Sequence, residues 1–196
     1  MQVKLFDYSV DPIFNISSAA RTCYQSQDKD ELAKREGFVR GIIKRGHTAP
    51  LEFGWTDWEI KGISRVCLAQ LTRHRIASYM VESQRYCDAG KNETVIPFSA
   101  LKVDDSCVDF MRKAQDFYKK LVRNGVPKED ARYFLPLGTT CNLRVGMNFR
   151  ALRNFLSLRL DKHAQWEIRE LAQKMADIVI SKGWGVLIED IVSKCE

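Results

Sequence analysis

TTCNLRVGMNFRALRNFLSLRLDKHAQWE, residues 139–167, changes its period halfway along. From 139 to 149 polar and apolar side chains alternate, which predicts a half-buried strand. From about 150 to 159 the pattern becomes helical. Leu152 and Leu156 share one face, and Arg150 and Asn154 share another. A second helix is expected over 162–182, then a short C-terminal one. Towards the N-terminus, residues 2–9 read as a strand, and Asp11-Pro12 opens a helix as N-cap and first-turn proline. Residues 29–45 read as a helix closed by Gly46, and HTAPLE (47–52) as a loop. FGWTDWEIK (53–61) reads as an aromatic-rich strand and 63–73 as a helix. A long amphipathic helix fits 104–124, with Val108, Met111, Phe117 and Leu121 on related faces. Gly125 ends it, and Val126-Pro127 starts another short helix. Strands and helices mix without regular alternation. The expected class is therefore α+β, with a central mixed or mainly antiparallel sheet flanked by helices. With no repeat, low-complexity tract or linker, 1–196 reads as a single domain.

The composition, 45% hydrophobic and 29% charged, is that of a soluble globular chain. No run of about 18 apolar residues is present, so a membrane span is not expected. The start, MQVKLFDYSVDP, carries no apolar signal region. Six cysteines at 23, 67, 87, 107, 141 and 195 form no CxxC pair, which predicts reduced thiols and a cytoplasmic location. Three histidines, His47, His74 and His163, form no zinc pattern, and no metal is expected. The net charge of +6 favours anionic partners, whether nucleic acid or small phosphorylated molecules.

The densest chemistry lies in RHRIASYMVESQRY, residues 73–86. Arg73 and Arg75 present planar forks of donors suited to phosphate oxygens. His74 between two cations resists protonation. Alone, the triplet reads as a solvated basic turn at a helix end. Ser83 and Arg85 close by shift the reading towards a loop that holds a phosphorylated ligand. Ser83 is read as a phosphate ligand rather than a nucleophile, which needs an adjacent base. Glu82 accepts from a ribose hydroxyl or pairs with an arginine. His163 and Glu167 are spaced like a metal pair but lack a third ligand, so a helix-surface hydrogen bond is expected.

Arg73-His74-Arg75, seven residues and then Ser83 resemble the signature of the flavin-dependent thymidylate synthases, the thymidylate synthase complementing protein family. The same order holds GHTAPLE at 46–52, Gln70, DARYFLPL at 130–137 and NFRALRNFLSLRLDKHAQWEI at 148–168. The resemblance runs from Ala19-Ala20-Arg21 to about Ile168. It implies an enzyme that methylates dUMP to dTMP, with methylenetetrahydrofolate as carbon donor and FAD reduced by NADPH. It implies a homotetramer with active sites between subunits, and no cysteine addition to the pyrimidine. By position, Arg73, His74, Arg75, Asn148, Arg150 and Asn154 would hold FAD, with His47 by the flavin ring. Gln70, Arg73, Ser83, Gln84 and Arg85 would bind dUMP, with Arg132 reaching it from a neighbouring subunit. Arg159 would favour ionisation of uracil N3. The family pattern is departed from at Cys23, Ala49, Phe53 and Met80-Val81, where the family carries an Asn-Glu pair. Rival readings are a related pyrimidine methylase or hydroxymethylase and, from a different class, a basic nucleic-acid-binding module.

Overall fold

The computed structural model describes residues 1–194. In chain order the elements are β1 (Gln2–Tyr8), α1 (Pro12–Thr22), α2 (Arg35–Lys44), β2 (Trp55–Ser64), α3 (Arg65–Leu71), β3 (Ser78–Val81), α4 (Phe98–Leu101), α5 (Ser106–Arg123), α6 (Lys128–Ala131), β4 (Thr140–Asn148), α7 (Phe149–Arg159), α8 (Trp166–Ser181) and α9 (Glu189–Val192). The strands form one sheet in the order β1-β2-β4-β3. The architecture is α+β. Ser9 N donates to Trp55 O, and Phe149 N to Gly54 O, so the ends of β1 and β4 both meet the start of β2. That register makes both pairings antiparallel.

By backbone proximity the chain falls into two compact units. One comprises Met1–Gln2, Ile60–Thr72 and Met80–Leu143; the other comprises Val3–Glu59, Arg73–Tyr79 and Arg144 onward. The second unit has the larger buried set. Ile16, Val39, Ile42, Trp58, Val145, Phe149, Phe155, Leu171 and Met175 are all fully enclosed. Burial of each such side chain is worth about 1.5–3 kcal/mol. The indole of Trp58 donates to Thr56 Oγ1 at 2.9 Å, and that hydroxyl donates to Met147 O at 2.9 Å, so this buried polar pair is satisfied. Gly54 touches the same core, because a Cβ there would lie 2.8 Å from the Phe149 ring. The first unit has a smaller cluster of Ala89, Tyr118 and Ala131, against which Leu121, Val122, Val126 and Leu135 pack.

Local chemistry explains the element ends. Asp11 Oδ1 accepts from Phe14 N at 2.8 Å and starts α1. Asn148 Oδ1 accepts from Ala151 N at 2.8 Å, so β4 turns into α7 at a capping residue. Four expectations need correction. The helix expected from 29 begins at Arg35, after two 3-10 turns, Gln27–Lys29 and Leu32–Lys34. There the Asp30 carboxylate is drawn away by Ser17 Oγ at 2.8 Å, Arg21 Nε at 3.3 Å and Arg35 Nε at 2.8 Å. The helix expected from 162 begins at Trp166, because Gln165 Oε1 caps it by accepting from Glu167 N and Ile168 N. The stretch after α3, expected to be loop throughout, contains β3. HTAPLE, also read as loop, closes with a 3-10 turn at Ala49–Phe53.

Candidate active site

A cavity of about 560 Å³ lies in the second unit, lined by Arg73, His74, Arg75, Asn148, Arg150 and Asn154 together with Glu52 and the Ile76-Ala77 turn. Six residues from two separate segments, singled out for one ligand in the sequence, thus line one space. The β4-to-α7 junction places three of them. Asn148 caps the helix, and Arg150 and Asn154 follow one turn apart. His47 lines a second cavity of about 400 Å³, with Ala19, Cys23, Tyr24, Ala49 and Phe53. Glu52 and Arg150 line both cavities, and Arg150 Nη1 donates to Glu52 Oε1 at 2.5 Å. This ion pair is a shared wall. Glu52 stands inside the quoted GHTAPLE segment and had no role assigned; its position there was the available signal.

Arg159 ends α7, and its Nε donates to His74 Nε2 at 3.1 Å. His74 is 8% exposed, sits edge-on to Phe155 at 5.0 Å, and its carbonyl accepts from Tyr79 OH at 2.7 Å. Burial first, and then the Arg159 charge, hold the imidazole below its ordinary value. The flanking Arg73 and Arg75, expected to do this, are not the cause. Accepting through Nε2 fixes the neutral tautomer with the proton on Nδ1. Burial also pushes the Tyr79 phenol up to about 12. Asp161, two places after Arg159, accepts from His163 N and meets its Nδ1, both at 2.8 Å. His163 thus lies in a turn and does not form a helix-surface pair with buried Glu167. Among the described residues no group of three or more His, Cys, Asp or Glu stands ready for a metal.

The depressed value of His74 has a thermodynamic sign. The folded state binds fewer protons here than the unfolded chain, so this contribution is complete above the unfolded value of about 6.5. It is lost as pH falls through that value towards the folded one. Unfolding titrations should show wild-type stability declining on acidification below about pH 6.5, with a shallower decline in His74→Gln.

The other candidates belong to the first unit. Gln70 lies near the end of α3. Ser83, Gln84 and Arg85 form a turn one residue after β3, in which Ser83 Oγ accepts from Arg85 N at 3.2 Å and Ser83 O from Cys87 N at 2.9 Å. Arg85 pairs with Glu129, and Lys128 Nζ donates to Tyr86 O at 2.9 Å. Arg132, just after α6, donates from Nε to Glu129 O at 3.0 Å. Glu129 was not singled out in the sequence. Cys23, Cys67, Cys87, Cys107 and Cys141 are free thiols, and Cys195 lies outside the described residues. No helix among the described residues is long and apolar enough to cross a membrane.

The α7 N-terminus thus brings Asn148, Arg150 and Asn154 to a cavity that Arg73 and Arg75 also line, an arrangement suited to polyanionic ligands. The family described as thymidylate synthase complementing protein matches residues 4–182. The flavin-dependent thymidylate synthase of Geobacter sulfurreducens is 38% identical over 190 residues, which cover 91% of this chain and 82% of the relative. That of Saccharolobus solfataricus is 40% identical over 191 residues, covering 91% and 72%. A crystal structure of the flavin-dependent thymidylate synthase of Helicobacter pylori, complexed with FAD and dUMP, superposes with a TM-score of 0.83 at 29% identity, covering 97% of this chain and 99% of that one. The chain belongs to the thymidylate synthase complementing protein family.

Proposed function

We propose that this chain is a flavin-dependent thymidylate synthase. It methylates dUMP at C5, takes the one-carbon unit from methylenetetrahydrofolate and the reducing equivalents from NADPH, and releases dTMP, tetrahydrofolate and NADP⁺. The observation that carries this reading is chain-long kinship to a structure complexed with FAD and dUMP, joined to the cationic cavity of the second unit.

The residues present suit FAD. Arg73, Arg75 and Arg150 offer charged donors to a pyrophosphate, and Asn148 and Asn154 offer amides to ring edges. Bound FAD supplies hydride transfer from NADPH to the one-carbon unit. Ser83, Gln84 and Arg85 hold the nucleotide phosphate, Gln70 and Arg73 assist, and Arg132 acts on a neighbouring subunit's nucleotide. Arg159 stabilises the N3 anion of uracil, which raises electron density at C5. Its guanidinium does this as a fixed charge without taking the proton, and His74 fixes its plane. His47, in the second cavity, stands where folate stacks by the flavin.

The working form is a homotetramer in the cytoplasm with active sites between subunits, each chain acting as one domain over 1–196. Exposed apolar side chains at Val103, Phe110, Phe134 and Leu137 support assembly. Anaerobic turnover of the purified protein with dUMP, methylenetetrahydrofolate and NADPH, with the product identified by mass, tests the reaction. A yellow protein forming dTMP is expected. A colourless one whose binding to nucleic acid weakens steeply with salt would favour the rival module, and hydroxymethyl-dUMP would favour the hydroxymethylase.

A further inference from the structure

Immediately before Ser83 the chain reads Met80-Val81-Glu82. Met80 is 77% exposed. The carboxylate of Glu82 is committed to the protein on both oxygens. Oε2 accepts from Asn142 N at 3.2 Å and from Asn142 Nδ2 at 2.9 Å. Oε1 accepts from Asn92 Nδ2 at 3.1 Å. The backbone is held too: Glu82 N donates to Asn142 O at 2.9 Å, and Glu82 O accepts from Arg65 Nη2 at 3.0 Å. Its partners are anchored in turn. Asn142 Oδ1 accepts from Gly62 N at 3.1 Å, Asn92 Nδ2 donates to Thr140 O at 3.0 Å, and Asn92 O accepts from Gln115 Nε2 at 2.7 Å. One residue thus ties β2, β4, α5 and the segment around Asn92 to the backbone immediately before Ser83.

We propose that Glu82 is a positioning residue for the nucleotide phosphate. It fixes the first residue of the Ser83–Arg85 turn and does not itself touch the nucleotide. This rests on the assignment of that turn to dUMP. An acceptor-only carboxylate is the group suited to three amide donors. Without it the turn is ordered only on binding, and that cost falls on dUMP affinity. The chemical step, which depends on Arg159 and the flavin, is not involved.

The test uses FAD-loaded enzyme. Calorimetric titration with dUMP, steady-state kinetics and thermal unfolding are compared for wild type, Glu82→Ala, Glu82→Gln and Asn142→Ala. In Glu82→Ala the dUMP Kd and KM should rise by about tenfold or more, with kcat at saturating dUMP within about twofold and FAD content unchanged. Glu82→Gln, which keeps one acceptor oxygen, should fall between, and Asn142→Ala should weaken dUMP in the same direction. Variants that melt earlier yet bind dUMP as tightly as wild type would overturn the inference, leaving Glu82 merely structural. So would a fall in kcat with KM unchanged. Should Glu82→Ala fail to fold, the KM-against-kcat split of Glu82→Gln decides alone. FAD-loaded wild type that binds no dUMP overturns the functional assignment itself, a result distinct from either.

Discussion

Replacing Arg159 with alanine should cost roughly 100- to 1000-fold in methyl transfer while leaving flavin reduction by NADPH within a fewfold of wild type. The asymmetry follows from what the guanidinium does. In its proposed role it stabilises negative charge that develops on uracil, and the reductive half involves no uracil. Arg159→Lys should recover only part of the loss. Lysine keeps the charge but loses the planar fork, and it has no Nε–H to hold the bond to His74. Stopped-flow measurement of the two halves separately checks this. Equal slowing of both would point to a disturbed flavin site rather than a lost partner for N3. Normal turnover in both variants at saturating dUMP would leave Arg159 a purely structural side chain.

The second large effect is expected at the wall between the two cavities of the second unit. Arg150→Ala removes a cation from both and strips Glu52 of its counter-ion. The Glu52 carboxylate, no longer neutralised by Arg150, then opposes the pyrophosphate. FAD affinity should fall by about 10- to 100-fold, from the lost charged hydrogen bond alone. Adding Glu52→Gln should restore part of that loss, because the repulsion goes even though the donor is still missing. Fluorescence titration of apoprotein with FAD measures all three variants. Equal affinity in Arg150→Ala and wild type would exclude Arg150 from flavin binding. A double variant no better than Arg150→Ala would show that Glu52 carries no repulsive share.

Much of this was legible in the sequence where the determinants are local. The alternation of 139–149, the Asp11-Pro12 cap and the glycines at 46 and 125 each act within a few residues. β1, β2, β4, α1, α5 and α7 were therefore readable from period and punctuation. What escaped depends on partners far along the chain. Asp30 leaves the helical register because Ser17, Arg21 and Arg35 compete for its carboxylate. The pairing of β3 needs β4, some sixty residues on. Arg159 had Asp161 two places away as a plausible partner, yet it bonds to His74 across 85 positions. Glu82 looked available to a ribose or an arginine, but amides from residues 92 and 142 already surround it. The family motifs carried the candidate site residues further than periodicity did. No spacing rule reveals which charges a folded chain neutralises for itself, as Glu52 does for Arg150 and Glu129 for Arg85.

The second compact unit is assembled from three stretches of chain, and the last begins only at Arg144. Its core needs Trp58 from the first stretch and Phe155, Leu171 and Met175 from the last. On the ribosome, that core cannot close until the chain has been made past Met175. The early helices α1 and α2 must wait with apolar faces uncovered, so nascent chains depend on protection against sticking to one another. Such distant pairings also close slowly, which makes folding rate rather than final stability the vulnerable quantity in overexpression. Slower synthesis at lower temperature is the condition under which this chain should be recovered intact, and a stop codon placed anywhere before α8 should yield no soluble fragment.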